Sequence, residues 1–295
     1  MCLTFVLSFS ITFALRSIFE DDNVVESKTV AQSTDNYNSS PTYTKTNTDY
    51  YSGNAYDSER NNYSKDDYNS TTKQLPVQVV RYENSSLFDK LNLITSIDIA
   101  VNEKIKSIPH YVTVDKIPFF MQQAIISVED ARFYEHKGFD AIGIARAAFV
   151  NLEAGKIEEG ASTITQQTVK NLFLSQERTF TRKAEELALA VNMERTFTKD
   201  KILEVYLNSI YFGSNFYGIY DASVGYFGKE PKDLTIAECA MLAGLPSAPS
   251  VYSPYENFRL AKQRQLIVIN AMEKANLLSR RAAEDARIEE IVLMR

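Results

Sequence analysis

Cysteine is scarce in this chain, with two in 295 residues, Cys2 and Cys239. No disulfide framework can be built from them, and Cys239 reads as a small core residue. Excess charge is scarce as well, once the chain is divided. The overall formal charge is −6, but residues 20–75 hold ten acidic and five basic side chains, leaving 28 acidic and 27 basic ones elsewhere. The rest is close to neutral, so net charge does not suggest a nucleic-acid binder. Internal repeats are lacking, and only Val77-Gln78-Val79-Val80 alternates like a strand. From Pro118 onward helix signals dominate, so the chain is expected to be mainly α.

Two segments precede the folded part. Residues 2–15 are uncharged and largely apolar. As a helix they reach roughly 21 Å, short of a hydrocarbon core of about 30 Å. With Arg16 snorkelling and Ile18 and Phe19 counted, residues 1–19 become long enough for a membrane anchor. A cleaved signal peptide and a buried helix are the alternatives. Residues 20–75 are mostly Asn, Ser, Thr, Asp and Tyr, which bury too little apolar surface to offset chain entropy, so they are expected to be a disordered linker. Ser70-Thr71-Thr72-Lys73 has the S-x-x-K spacing of a penicillin-binding serine nucleophile. It lies in low-complexity sequence, with no S-x-N and K-T-G pair following, and is read as chance. Residues 76–295 remain as one domain.

Within that domain, residues 76–116 read as a short β-containing lead-in, broken at Ser107-Ile108-Pro109. Residues 119–128 recur in apolar character at helical spacing behind Pro118. Asp140 can cap a helix through Asn151, closed by Gly155. Ser162 is read as the cap of the helix at 163–172, and Thr179 or Thr181 as the start of one reaching about Arg195. Thr198 and Thr235 cap 201–208 and 236–243. Residues 258–274 and 279–293 are amphipathic.

Three polar clusters interrupt these helices. Glu129-Asp130 appears where an apolar helix ends, with His136 after it. A carboxylate at such a rim is partly desolvated, which raises its pKa and makes it a better proton acceptor. Thr163, Gln166, Gln167 and Lys170 share one helix face by spacing, beside Ser162. Arg182 and Lys183 precede Glu186 by four and three residues and can flank its carboxylate, with Arg178 one turn earlier. Each cluster alone has an ordinary reading as a solvated face or an intrahelical ion pair. Together they suggest a division of labour. Two carboxylates are the usual equipment for acetal chemistry at a sugar carbon. A glycosidase, whose leaving group is a neutral alcohol, has no use for Lys170, Arg178, Arg182 and Lys183. A departing phosphate or pyrophosphate does, because its charge grows in the transition state. The residues therefore favour glycosyl transfer from a phosphorylated donor over hydrolysis.

The motifs also carry a resemblance. E-D-x-x-F-x-x-H-x-G at 129–138, G-A-S-T-I-T-Q-Q-T-V-K-N at 160–171, R-K-x-x-E at 182–186, I-L-E-V-Y-L-N at 202–208, Y-F-G-K at 226–229 and A-G-L-P-S-A-P at 243–249 are similar, in order, to the signatures of the peptidoglycan glycosyltransferases, the transglycosylase domain of class A penicillin-binding proteins. The likeness covers roughly residues 105–275. It implies a lysozyme-like, two-lobed α fold lying on the bacterial cytoplasmic membrane, on its extracytoplasmic side, which polymerises lipid II into β-1,4 glycan strands with inversion and release of undecaprenyl pyrophosphate. Glu129 would be the general base. Glu186 would assist the pyrophosphate directly, through a divalent metal (Mg or Mn), or by orienting cations. Lys170, Arg178, Arg182 and Lys183 would hold the diphosphate, and Ser162, Gln166 and Gln167 the donor sugars and phosphate. Asp130 and His136 would shape the loop after Glu129, Glu204 and Asn208 would be structural, and the apolar turns after Phe139 would touch the membrane. Lipid II, the growing glycan and other cell-wall synthases are the implied partners. No transpeptidase domain follows Arg295, so a monofunctional form is expected, and the long linker is not a feature the family leads one to expect. A lysozyme-like hydrolase and an inactive wall-binding scaffold are the rival readings.

Overall fold

The computed structural model of the chain describes residues 93–154, 160–175 and 179–294. The 1–19 anchor, the linker through residue 75, the alternating run 77–80 and Arg178 lie outside them. Among the described residues the structure is helical, with one isolated antiparallel bridge between Tyr211 and Tyr217. The mainly α expectation holds.

In order, the helices are α1 (Ile97–Lys106), α2 (Phe119–Glu129), α3 (Ala141–Ala154), α4 (Ile164–Phe173), α5 (Phe180–Thr196), α6 (Lys199–Ser209), α7 (Ile219–Phe227), α8 (Ile236–Gly244), α9 (Pro249–Tyr252), α10 (Pro254–Lys274) and α11 (Arg280–Ile288). Four starts use a threonine in the same way. Thr163, Thr179, Thr198 and Thr235 each accept from the backbone N–H three residues on, satisfying a donor that the helix itself leaves free. At α4 and α8 a Gln or Glu reaches back to complete a capping box.

The helices pack in two groups that meet at the end of α2. In one, α8 is buried along almost its whole length, from Ala237 to Gly244, against α2 and α10. In the other, α4 packs on α5 and α6, and α1 lies against α5. Asn208 and Glu204 on α6 grip the lead-in to α2. Asn208 accepts from Val112 N at 2.7 Å and donates to Val112 O at 2.7 Å, while Glu204 accepts from Val114 N at 2.8 Å and Tyr111 OH at 2.6 Å. A polar bracket thus fixes the angle at which α2 enters the core.

Several expectations need correction. The lead-in contains a helix, α1, whose buried residues Ile97 and Val101 are four apart, a spacing the sequence reading passed over. Thr163, not Ser162, caps α4, because the Thr163 hydroxyl reaches Gln166 N while Ser162 turns to Lys183. The helix after Asp140 runs to Ala154, three residues beyond Asn151. The last amphipathic stretch stops being helical at Ile288, since Met294 N donates to Tyr226 O at 2.9 Å and draws residues 289–294 out along α7. Asn257 is non-helical inside α10, and its side chain accepts from Leu260 N, so the continuous helix begins near Phe258, as the periodicity indicates.

Candidate active site

Glu129 is the last residue of α2, and its carboxylate leaves the apolar stripe formed by Met121, Ala124, Ile125 and Ile126. Gln167 Nε2, from α4, donates to Glu129 Oε2 at 2.8 Å. Burial pushes the Glu129 carboxyl above the ordinary carboxylate range, and the neighbouring Asp130 charge pushes the same way. The Gln167 hydrogen bond and the cations Arg264 and Lys170 pull it partly back. A carboxylate set this way is a better proton acceptor than an ordinary one.

Asp130 is buried and points away from that role. Both of its oxygens face His136 Nε2, at 3.0 and 2.9 Å, and Oδ2 also accepts from Ile164 N at 2.9 Å. Asp130 therefore ties the loop after α2 to the first turn of α4, and the buried His136 fills that loop. The tie is doubled at Gly138, whose carbonyl accepts from Thr163 Oγ1 at 2.9 Å. Gly138 has φ +101°, and a Cβ there would lie 2.9 Å from Val191 N on α5. Gly138→Ala is therefore expected to lower stability by about 2 kcal/mol, through backbone strain and separation of the loop from α5. Thermal denaturation against wild type would measure it, and an unchanged midpoint would contradict this account of the loop.

The polar face of α4 divides. Gln166 turns inward, and its Oε1 accepts from Thr163 N at 3.0 Å in the capping box. It is a buried structural group here, whereas the sequence reading places it against the substrate. Gln167 and Lys170 lie half-buried on the side of Glu129. Burial lowers the Lys170 pKa, Glu186 opposes that fall most strongly, Arg182 and Lys183 add to it, and Glu129 also opposes it. One ammonium thus stands in the field of both carboxylates.

Glu186, on α5, is 2% exposed. Arg182 Nη1 donates to its Oε2 at 2.7 Å, and Lys183 Nζ binds its Oε1. Lys183 also donates to Ser162 Oγ at 3.1 Å, joining the segment before α4 to α5. Lys170, Arg182 and Lys183 therefore gather about one buried carboxylate, more positive charge than Glu186 neutralises. This donor set does not suit a divalent ion, because each Glu186 oxygen is already engaged by a cation. Among the described residues no three His, Cys, Asp or Glu side chains come together as ligands. The arrangement suits an anion instead.

Two residues near Glu129 escaped sequence reasoning, Arg264 on α10 and Tyr206 on α6. Arg264 is one of several basic residues on an amphipathic helix, and nothing in its spacing singles it out. Tyr206 reads as core, and it is fully buried. A further surface lies along α3, where Phe139, Ile142, Ile144, Phe149 and Leu152 are each at least 43% exposed. Among the described residues no helix is long and apolar enough to cross a membrane.

A helical domain that holds one desolvated carboxylate and a second, cation-clasped one has the equipment of a glycosyl-transferring enzyme. Comparison with known proteins gives the family. The model of the transglycosylase family matches residues 99–273, and the chain belongs to that family. It is 47% identical over 181 residues to penicillin-binding protein 1A of Neisseria flavescens, covering 61% of this chain and 23% of that protein. It is 46% identical over 185 residues to a protein of Cupriavidus necator provisionally named a transglycosylase, covering 63% of this chain and 80% of that one. The crystal structure of penicillin-binding protein 1A from Haemophilus influenzae is 22% identical with a TM-score of 0.38, covering 63% of this chain and 18% of that one. The chain thus spans about a quarter of the length of the penicillin-binding relatives.

Proposed function

We propose that this chain polymerises lipid II into β-1,4-linked glycan strands, inverting the donor's anomeric carbon and releasing undecaprenyl pyrophosphate. Glu129 takes the proton from the acceptor sugar's hydroxyl, and that oxygen forms the new bond to the anomeric carbon. The bond from that carbon to the pyrophosphate oxygen breaks, and the electron pair leaves with the pyrophosphate. Lys170, Arg182 and Lys183 receive the growing negative charge, and Arg178, four residues before Arg182, is assigned to the same group. Glu186 fixes the cations in place, which removes the cost of arranging them during the reaction. Ser162 and Gln167 are assigned to the donor's sugars and phosphate.

The observation that carries the reading is that Lys170 feels the charges of both Glu129 and the cation-held Glu186. A hydrolase expelling a neutral alcohol gains nothing from three cations there. The apolar residues of α3 suit contact with the lipid leaflet that holds such a substrate. The protein then works on the extracytoplasmic face of the bacterial membrane, with residues 1–19 as the anchor and other wall synthases as neighbours.

Purified full-length protein incubated with lipid II is expected to yield glycan strands and undecaprenyl pyrophosphate. Finished peptidoglycan offered instead should remain insoluble, and its solubilisation would establish the hydrolase. Lys170→Ala is expected to raise KM for lipid II by roughly tenfold, the worth of one charged hydrogen bond. Unchanged kinetics would remove Lys170 from the pyrophosphate site.

A further inference from the structure

Gln167 holds Glu129 by one end of a group that has two opposite ends. Its carboxamide offers an N–H to the carboxylate, but a half-turn about the last bond would present the amide oxygen and repel it. Something must decide between these orientations. On the far side of Gln167, Tyr206 OH donates to Gln167 Oε1 at 3.4 Å. Tyr206 is 0% exposed, and a wholly buried hydroxyl needs an acceptor. An oxygen of the carboxamide satisfies that need, whereas the NH2 group in its place would leave two donors facing each other.

We propose that Tyr206 is a positioning residue for Glu129, its hydroxyl holding the Gln167 carboxamide so that the N–H end faces the carboxylate. The inference rests on the reading of Glu129 as the base. Three helices contribute one residue each to the relay, Glu129 from α2, Gln167 from α4 and Tyr206 from α6. The relay is one-directional. Burial first, then the charges of Glu129 and Asp130, keep the Tyr206 proton in place, so the phenol remains a donor and does not compete for the substrate's proton. The other charged groups acting on Glu129 are Asp130, Lys170 and Arg264, none of which bonds to the Gln167 oxygen.

The test is Tyr206→Phe, alone and combined with Gln167→Met, in the full chain turning over lipid II across pH. Removing the hydroxyl leaves the buried ring in place and frees the carboxamide. Glu129 then loses part of the donation that lowers its pKa. The expected result is a fall in kcat of about fivefold with KM within twofold of wild type, and an acidic limb of the kcat profile displaced to higher pH. In the Gln167→Met background the second substitution should add nothing, because the group it orients is gone. Equal effects of Tyr206→Phe in both backgrounds, or an acidic limb that stays put, would overturn the proposal. A second measurement separates it from the assignment of the base. The Glu129 carboxyl, followed by its 13C shift in glutamate-labelled protein with Glu129→Gln as the assignment control, should titrate higher in Tyr206→Phe whether or not Glu129 acts on substrate. Failure there sinks the relay, whereas turnover retained by Glu129→Gln sinks the base.

Discussion

Glu129→Gln is expected to reduce lipid II polymerisation by roughly 10²–10⁴-fold, the usual contribution of a positioned general base. The amide keeps the size of the side chain and can still accept from Gln167 Nε2, so the loss isolates proton transfer from packing. KM should change little, because Arg182 and Lys183, proposed to hold the donor's diphosphate, are bonded to Glu186 and not to Glu129. The same substitution has a second expected effect, opposite in sign. The folded-state pKa of Glu129 is raised, chiefly by burial, above that of an unfolded glutamate. Its contribution to stability is then fully present below the unfolded pKa of about 4.3 and is lost as pH rises through the folded value. At neutral pH the native protein bears the cost of a desolvated charge that glutamine does not carry. Glu129→Gln should therefore melt higher than wild type at neutral pH, and the difference should close as pH falls below the ordinary glutamate range. A variant at once inactive and more stable is the mark of a group held for chemistry against the preference of the fold. Loss of activity with loss of stability at neutral pH would mean that Glu129 serves the structure instead.

How much of this could be read from the chain follows from the range of each interaction. The carboxylate at the end of α2 and the Arg182–Lys183–Glu186 cluster were legible because helical spacing alone sets them. Glu186 receives its two cations from one turn away on its own helix, and no tertiary structure is needed to predict that. The threonine caps of α5, α6 and α8 were equally local. The capping-box role of Gln166 was hidden for a related reason. Spacing places it on the same face as Thr163 and Lys170, but the capping box turns its side chain back onto the backbone, and the competition between a local bond and an open face is invisible in a periodicity. Ser162 lost the cap to Thr163 on the same ground, by a shift of one residue. Tyr206 and Arg264 were not legible at all. Their part depends on α6 packing on α4 and α10 packing on α2, juxtapositions across tens of residues that no spacing rule encodes.

Glu186 is the other position where a single change should have a large effect, and there activity and stability should fall together. Its carboxylate is 2% exposed and holds Arg182 and Lys183, so Glu186→Ala leaves two cations without their counter-charge. Breaking a buried pair by removing one partner costs about 3–5 kcal/mol, but Lys183 is 46% exposed and rehydrates. The penalty falls mainly on Arg182, 16% exposed, and is expected to be about 2 kcal/mol, a drop in melting temperature of roughly 4–8 °C. Turnover should fall about 10²–10³-fold, the scale seen when one preorganised electrostatic contact to a developing charge is lost. Glu186→Gln separates the two effects. Its amide oxygen can still accept from Arg182, which recovers part of the stability, but its NH2 end faces Lys183 and displaces it. Activity should therefore stay low while the melting temperature rises toward wild type. Recovery of activity together with stability would reduce Glu186 to a packing role. If Glu186 instead acts through a divalent ion, a chelator should abolish wild-type turnover and leave the residual rate of both variants unaltered. Cations held in place by the carboxylate alone predict instead a wild type insensitive to the chelator, with the deficit of both variants unmoved by added Mg or Mn.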